Sequence, residues 1–94
     1  MKDEELNEIM NRVLSATKGP WVSWVEGRDY DSGDSFIMTG IEKGQDIWNN
    51  SRGEDIYLSG ATIADQDFIA HARQDIPKLL SYISELKQQL EKKK

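Results

Sequence analysis

Ile69-Ala70-His71-Ala72-Arg73-Gln74-Asp75-Ile76-Pro77-Lys78-Leu79-Leu80-Ser81-Tyr82-Ile83-Ser84-Glu85-Leu86-Lys87-Gln88-Gln89-Leu90 decides the architecture. Within it Ile69, Ala72, Ile76, Leu79, Ile83, Leu86 and Leu90 step by 3, 4, 3, 4, 3 and 4. That is the seam of one long helix written in heptads. Thr62-Ile63-Ala64-Asp65 supplies a start, a capping arrangement with Asp where Glu or Gln is usual, so the helix is predicted over 62–92. Pro77 removes a backbone donor and disfavours helical geometry at Ile76. Because the apolar phase continues unbroken across it, a kink near Pro77 is expected rather than a stop. Leu80 and Tyr82 widen the seam near its middle, as expected where a helix lies on a sheet. Past Ile83 the flanks are polar and the stripe narrows to a width suited to another helix.

Upstream, Leu6, Ile9, Met10, Val13 and Leu14 form one apolar stripe on a predicted helix over 3–15, with Asp3 as its candidate cap. Thr17-Lys18-Gly19-Pro20 ends it. The period then changes. Trp21 to Val25, Ser35 to Thr39 and Asp55 to Ser59 are strand-like segments separated by turn clusters, and Ile47-Trp48 could add to one edge. The connections are too short for parallel crossovers, so 21–60 is predicted to form a three-stranded antiparallel meander. The whole is an α+β fold: an N-terminal amphipathic helix, the meander, and the long C-terminal helix, all in one domain over 1–94. The sheet is expected to meet the middle of that seam, while the C-terminal arm extends past the body and leaves Leu86 and Leu90 wet in a monomer. Two partners compete for the rest, helix 3–15 packed antiparallel or a second copy of the chain. Contiguous exposed apolar stripes mark interfaces, so Ile76, Leu79, Ile83, Leu86 and Leu90 are expected to form a homo-oligomer interface.

Ninety-four residues make one domain, because two cores of half that length would each sit near the lower limit for folding alone. There is no cysteine, hence no disulfide framework and no thiolate metal site. Apolar runs are short, which argues against a membrane span or a signal-peptide core, and the acidic start Met1-Lys2-Asp3-Glu4-Glu5 reads as that of a cytoplasmic protein. The net charge is -5. An acidic body disfavours duplex nucleic acid, whose affinity comes from neutralised phosphates. Lys92-Lys93-Lys94 fits a helix C-terminus, where cations oppose the dipole.

Catalytic groups are sparse. No serine stands in a Gly-x-Ser-x-Gly elbow, and His71 is the one histidine. Asp67 and Asp75 lie four residues to either side of it, close enough on a helix to orient an imidazole or contribute to a metal site. One histidine and two carboxylates is an ion-pair ladder before it is a metal centre, so no metal and no cofactor is expected. Asp29-x-Asp31-x-Gly33-Asp34 departs from a calcium loop in ligand spacing and ends that register on Gly40, so it reads as a hairpin turn. The glycines form no phosphate-binding pattern. Aromatics are the unusual feature. Trp21, Trp24, Tyr30 and Trp48 fall in the strand region, and with Arg28 or Arg52 at the rim they could stack a ring and grip a phosphate. These six, with His71 and Arg73, are the candidate ligand-binding residues.

Two stretches carry a resemblance. Ala16-Thr17-Lys18-Gly19-Pro20-Trp21 resembles the Ala-Thr-Pro-Gly-Pro-Trp segment of a group of small uncharacterised phage and bacterial proteins. The run from Ala64 to Leu80 is similar to their C-terminal signature, Ala-Asp-x-x-Phe-Ile-Ala-x-Ala-Arg-x-Asp-Val-Pro-x-Leu-Leu. Lys18 replaces the first Pro, leaving the Gly19-Pro20 turn in place. The resemblance implies a phage or mobile-element setting inside a bacterial host and a helix–sheet–helix layout, and it transfers no activity. The resulting expectation is a non-catalytic, sponge-like protein that holds a small anionic nucleotide-derived signalling molecule, such as a host immune signal, at a subunit boundary. The alternatives are a protein-binding module acting through the C-terminal heptads, and a His71-dependent hydrolase or metal enzyme.

Overall fold

A computed structural model describes residues 1–31, 33–41 and 52–93. Helix α1 runs Asp3–Ser15, strand β1 Trp21–Trp24, strand β2 Phe36–Thr39 and helix α2 Ile63–Lys92. Asp3 is the first helical residue rather than the cap. Lys2 stands at that position, and its N–H donates to the Glu5 carboxylate at 3.0 Å. At the start of α2 the capping box forms as expected. Asp65 N–H donates to Thr62 Oγ1 at 3.0 Å and Thr62 N–H to Asp65 Oδ2 at 3.1 Å, so the shorter Asp side chain still reaches back. The helix then continues through Pro77 without a break.

The strands pair antiparallel, Trp21 opposite Thr39 and Trp24 opposite Phe36. The third strand of the expected meander does not form. The segment after Gly53 meets β2 through one antiparallel bridge, where Ile37 and Ile56 exchange both backbone hydrogen bonds at 2.8 and 2.9 Å. Two residues along, the ladder slips. Gly53 N–H donates to the Thr39 carbonyl at 3.1 Å, while the Glu54 carbonyl is taken by the Thr39 hydroxyl at 2.8 Å. A side chain thus does what a backbone N–H would do in register, and regular pairing stops. Gly53 is required there, since a Cβ at this position would run into the Thr17 and Thr39 side chains. The β1–β2 connection is longer than a hairpin turn. It folds on Asp29, whose carboxylate accepts from Val25 N–H at 2.8 Å. The proposed edge segment Ile47-Trp48 lies outside the described residues.

The core is small: Val25, Ile37, Met38, Ile41 and Ala70 are buried, with Ser23, Thr39 and Gln66 among them. Among the described residues it occupies both faces of the sheet: Ile37, opposite Ser23, shares the face that meets Gln66 and the first half of α2, while Met38 alternates to the other face. The face of α2 that meets the sheet is not the heptad seam but Gln66, Ala70 and Gln74, spaced four apart. Ala70 is small enough for close approach. The flanking glutamines clip the helix to backbone, Gln66 Nε2 reaching Ser23 Oγ at 2.8 Å, the Trp24 carbonyl at 3.1 Å and the Phe36 carbonyl at 3.2 Å. Gln74 accepts from Trp21 N–H at 2.7 Å and donates to its carbonyl at 3.0 Å, which closes the outer edge of β1 as a neighbouring strand would.

Helix α1 lies antiparallel along α2. Asp3 pairs with Lys87, Leu6 and Met10 face Leu80 and Ile83, and Val13 and Ala16 stand by Ile69, Ala72 and Ile76. No residue of α1 is fully buried. The helical hairpin extends well past the sheet, giving overall dimensions of 58 × 29 × 19 Å. No helix among the described residues is long and apolar enough to cross a membrane.

Candidate functional site

Two grooves border Trp21, and they differ in charge. The first lies between β1 and α2, about 410 Å³ in volume, and takes in Ser23, Arg28, Asp67, His71 and Gln74. Arg28 dominates it. Its guanidinium donates to both oxygens of Asp67 at 2.7 and 3.0 Å and to Asp29 Oδ2 at 3.0 and 3.2 Å. Two carboxylates therefore neutralise the one cation and raise its pKa further above the ordinary arginine value. His71 Nδ1 faces the backbone carbonyl of Asp67 at 2.8 Å, inside its own helix, so the carboxylate four residues upstream serves Arg28 instead of the imidazole. This is a clamp that ties the β1–β2 loop to α2, and it has no charge left for an anion.

The clamp has a pH signature. Hydrogen bonds from Arg28, then from Ser23, hold the Asp67 carboxyl down from 3.8 to about 2. A folded-state pKa below the unfolded value means that the ionised group stabilises the fold above about pH 4, and that this contribution is lost as pH falls from there towards about 2. Asp67→Asn is expected to lower the melting temperature near neutrality and to flatten the acid limb of stability against pH within that window. A variant with an acid limb as steep as that of the parent chain would show that another group titrates.

The second groove, about 250 Å³, runs between α1 and α2 and ends on the Trp21 side chain. Ile9, Val13, Ile69, Ala72 and Ile76 make its walls, Arg12 and Arg73 add two guanidinium groups, and no carboxylate lines it. Local structure places these groups. The Thr17 carbonyl, at the turn that ends α1, accepts from Trp21 Nε1 at 3.1 Å and from Arg73 Nε at 3.0 Å. Gly19 brings that turn up against the Arg73 and Gln74 side chains of α2. The turn from Ala16 to Trp21 and the stretch of α2 containing Arg73 therefore touch each other. An apolar slot closed by an indole, with two cations and no anion, is chemically suited to a flat ring bearing negative charge.

The remaining candidates stand elsewhere. Trp24, Tyr30, Phe36 and Tyr57 form a row with ring centroids 6.3, 6.0 and 5.8 Å apart, fastening the β1–β2 loop and the Ile56 bridge to the strand ends. Trp24 and Tyr30 line neither groove. Arg52 donates to Asp55 Oδ1 at 2.6 Å and also stands apart from both. Trp48 lies outside the described residues. The structure thus joins Trp21 to Arg73 in one groove and Arg28 to His71 in the other. Sequence reasoning missed Arg12, Thr17, Gln66 and Gln74. The spacing of Gln66, Ala70 and Gln74 by four was the available signal for the last two. Among the described residues no group of three or more histidine or carboxylate side chains is arranged to hold a metal ion. No protein-family model, no curated protein and no solved structure matches the chain.

Proposed function

We propose that this protein binds and sequesters a small, negatively charged, ring-bearing molecule of the nucleotide class in the groove between α1 and α2, without transforming it. The carrying observation is the lining of that groove: the Trp21 indole, apolar walls, and Arg12 and Arg73 with no opposing carboxylate. In an otherwise acidic chain of net charge -5, this local pair of cations is where an anion would be tolerated. The resemblance to small phage and bacterial proteins supports a setting in an infected bacterial cytoplasm, where removing a host signal would be useful to the phage.

Arg12 is the discriminating residue. It is exposed, whereas Arg73 also braces the Thr17 turn. A ligand held by the native state alone raises its melting temperature, by about 2.7 kcal/mol of stability at a hundredfold excess over Kd. Thermal-shift measurements with linear and cyclic nucleotides should show such a rise for the parent chain. Arg12→Glu should abolish it while leaving the melting temperature of the free protein unchanged. A shift of equal size in Arg12→Glu would place the ligand elsewhere, and no shift with any nucleotide would remove this reading.

A further inference from the structure

We infer that the face of α2 opposite the sheet is a two-fold interface on which a second copy of this chain docks antiparallel. This goes beyond the ligand groove and does not depend on it. Ala70, buried against the sheet, and Leu79 are nine residues apart, about two and a half helical turns, so Leu79 points directly away from the body of the protein. Around it lies an apolar stripe of Phe68, Ala72, Leu79, Leu86 and Leu90. Apart from Ala72, its members are open to solvent, from 41% exposed at Leu86 to 74% at Phe68. Helix α1 occupies the adjacent flank through Leu80 and Ile83 and meets the stripe only at Ala72.

Two features of the stripe identify its occupant. The first is spacing. From Phe68 the members step by 4, 7, 7 and 4, a sequence that reads the same in either direction about Leu79. Two copies turned antiparallel about an axis at Leu79 therefore place Leu79 on Leu79, Phe68 on Leu90 and Ala72 on Leu86, small against large, over about 33 Å of helix. The second is charge. Asp67 and Lys87 are already paired with Arg28 and Asp3, which leaves Asp65 and Asp75 against Arg73 over 63–76, and Lys78, Lys92 and Lys93 against Glu85 and Glu91 over 77–93. Antiparallel pairing sets the acidic half of each helix beside the basic half of the other, with Asp65 opposite Lys93. Parallel pairing would set like halves together. Antiparallel packing also opposes the two helix dipoles. Copies related this way keep both α1 helices on the same side of the α2 pair, which completes a four-helix layer beside the two sheets.

The absence of cysteine makes orientation directly measurable. With a short bismaleimide, Leu79→Cys should cross-link to itself. Phe68→Cys and Leu90→Cys should each give little product alone and a strong product when mixed. Sedimentation equilibrium should show a concentration-dependent dimer that Leu79→Glu converts to monomer, with helical circular dichroism retained because the residue is exposed within one copy. Self-cross-linking of Phe68→Cys would mean a parallel arrangement. A monomer at high micromolar concentration would leave the stripe to a different protein, and a dimer that survives Leu79→Glu would use another surface. Any of these three results overturns the proposal.

Discussion

Ile37→Ala is expected to be the most damaging single truncation in this chain, lowering the stability of the native state by about 2–5 kcal/mol. The residue is fully buried at the centre of β2. It stands opposite Ser23 on one side and exchanges both backbone hydrogen bonds with Ile56 on the other. It therefore sits where β1, β2 and the bridge segment meet, on the face of the sheet that Gln66 of α2 touches through Ser23. Few other described residues are buried to that degree, and a void there cannot be filled by movement of distant groups. Small domains are stable by only about 5–15 kcal/mol in total, so a loss of this size should move the urea midpoint far down or leave the protein partly unfolded at room temperature. Chemical denaturation followed by circular dichroism measures it. A loss below about 1 kcal/mol would mean that the core lies elsewhere, for example under the helical hairpin.

Gln66→Leu is expected to cost about 1–3 kcal/mol, although leucine is apolar, of similar size and replaces a polar group in a buried position. The reason is asymmetry. The amide nitrogen satisfies the Ser23 hydroxyl and the Trp24 and Phe36 carbonyls, and leucine would leave these acceptors facing hydrocarbon. Burial of a few more apolar atoms offsets part of that loss. Ser23, which this amide holds, also helps to keep the Asp67 carboxyl ionised, so the clamp around Arg28 should loosen with it. Hydrogen exchange at the β1–β2 loop should accelerate in Gln66→Leu more than in Gln74→Leu, whose contacts are with Trp21 and its own helix. A stabilised Gln66→Leu protein would show that this polar clip is not part of what holds the helix on the sheet.

These two sites also show what was legible beforehand. Helix boundaries were clear, because periodicity, the Thr62–Asp65 box and the Gly19-Pro20 stop are local signals. The first two strands were clear for the same reason. The third failed because Asp55 to Ser59 has the composition of a strand, whereas the slip at Gly53 depends on a hydroxyl of Thr39, fourteen residues away in the chain. The heptad seam lies on α2, but the face of α2 that meets the sheet is a different one. A helix–sheet contact built from two glutamines and an alanine writes no apolar stripe into the sequence, so the isoleucines and leucines on the other faces dominate the periodic pattern. Ile76 and Ile83 turned out to be shared with α1, leaving Leu79, Leu86 and Leu90 in the open.

The ligand candidates divide along the same line. Arg28 looked like a phosphate-binding cation as long as its partners were unknown, and the fold brings Asp67 to it from thirty-nine residues away. Trp21 and Arg73 are fifty-two positions apart and meet only because both bond the Thr17 carbonyl. Arg12 looked like one polar residue on an amphipathic helix. Pairing it with Arg73 required knowing that α1 runs antiparallel beside α2.

The most direct test of the central claim, that this chain holds an anionic ring compound and leaves it chemically intact, is a nuclear magnetic resonance titration with a cyclic nucleotide, observing the tryptophan indole N–H signals and the nucleotide phosphorus together. The account predicts a saturable shift of the Trp21 signal, a smaller change at Trp24, and a phosphorus spectrum that shows the same compound after prolonged incubation. A titration that leaves Trp21 unmoved across the nucleotide class, or phosphorus signals that convert into those of a product, would contradict it.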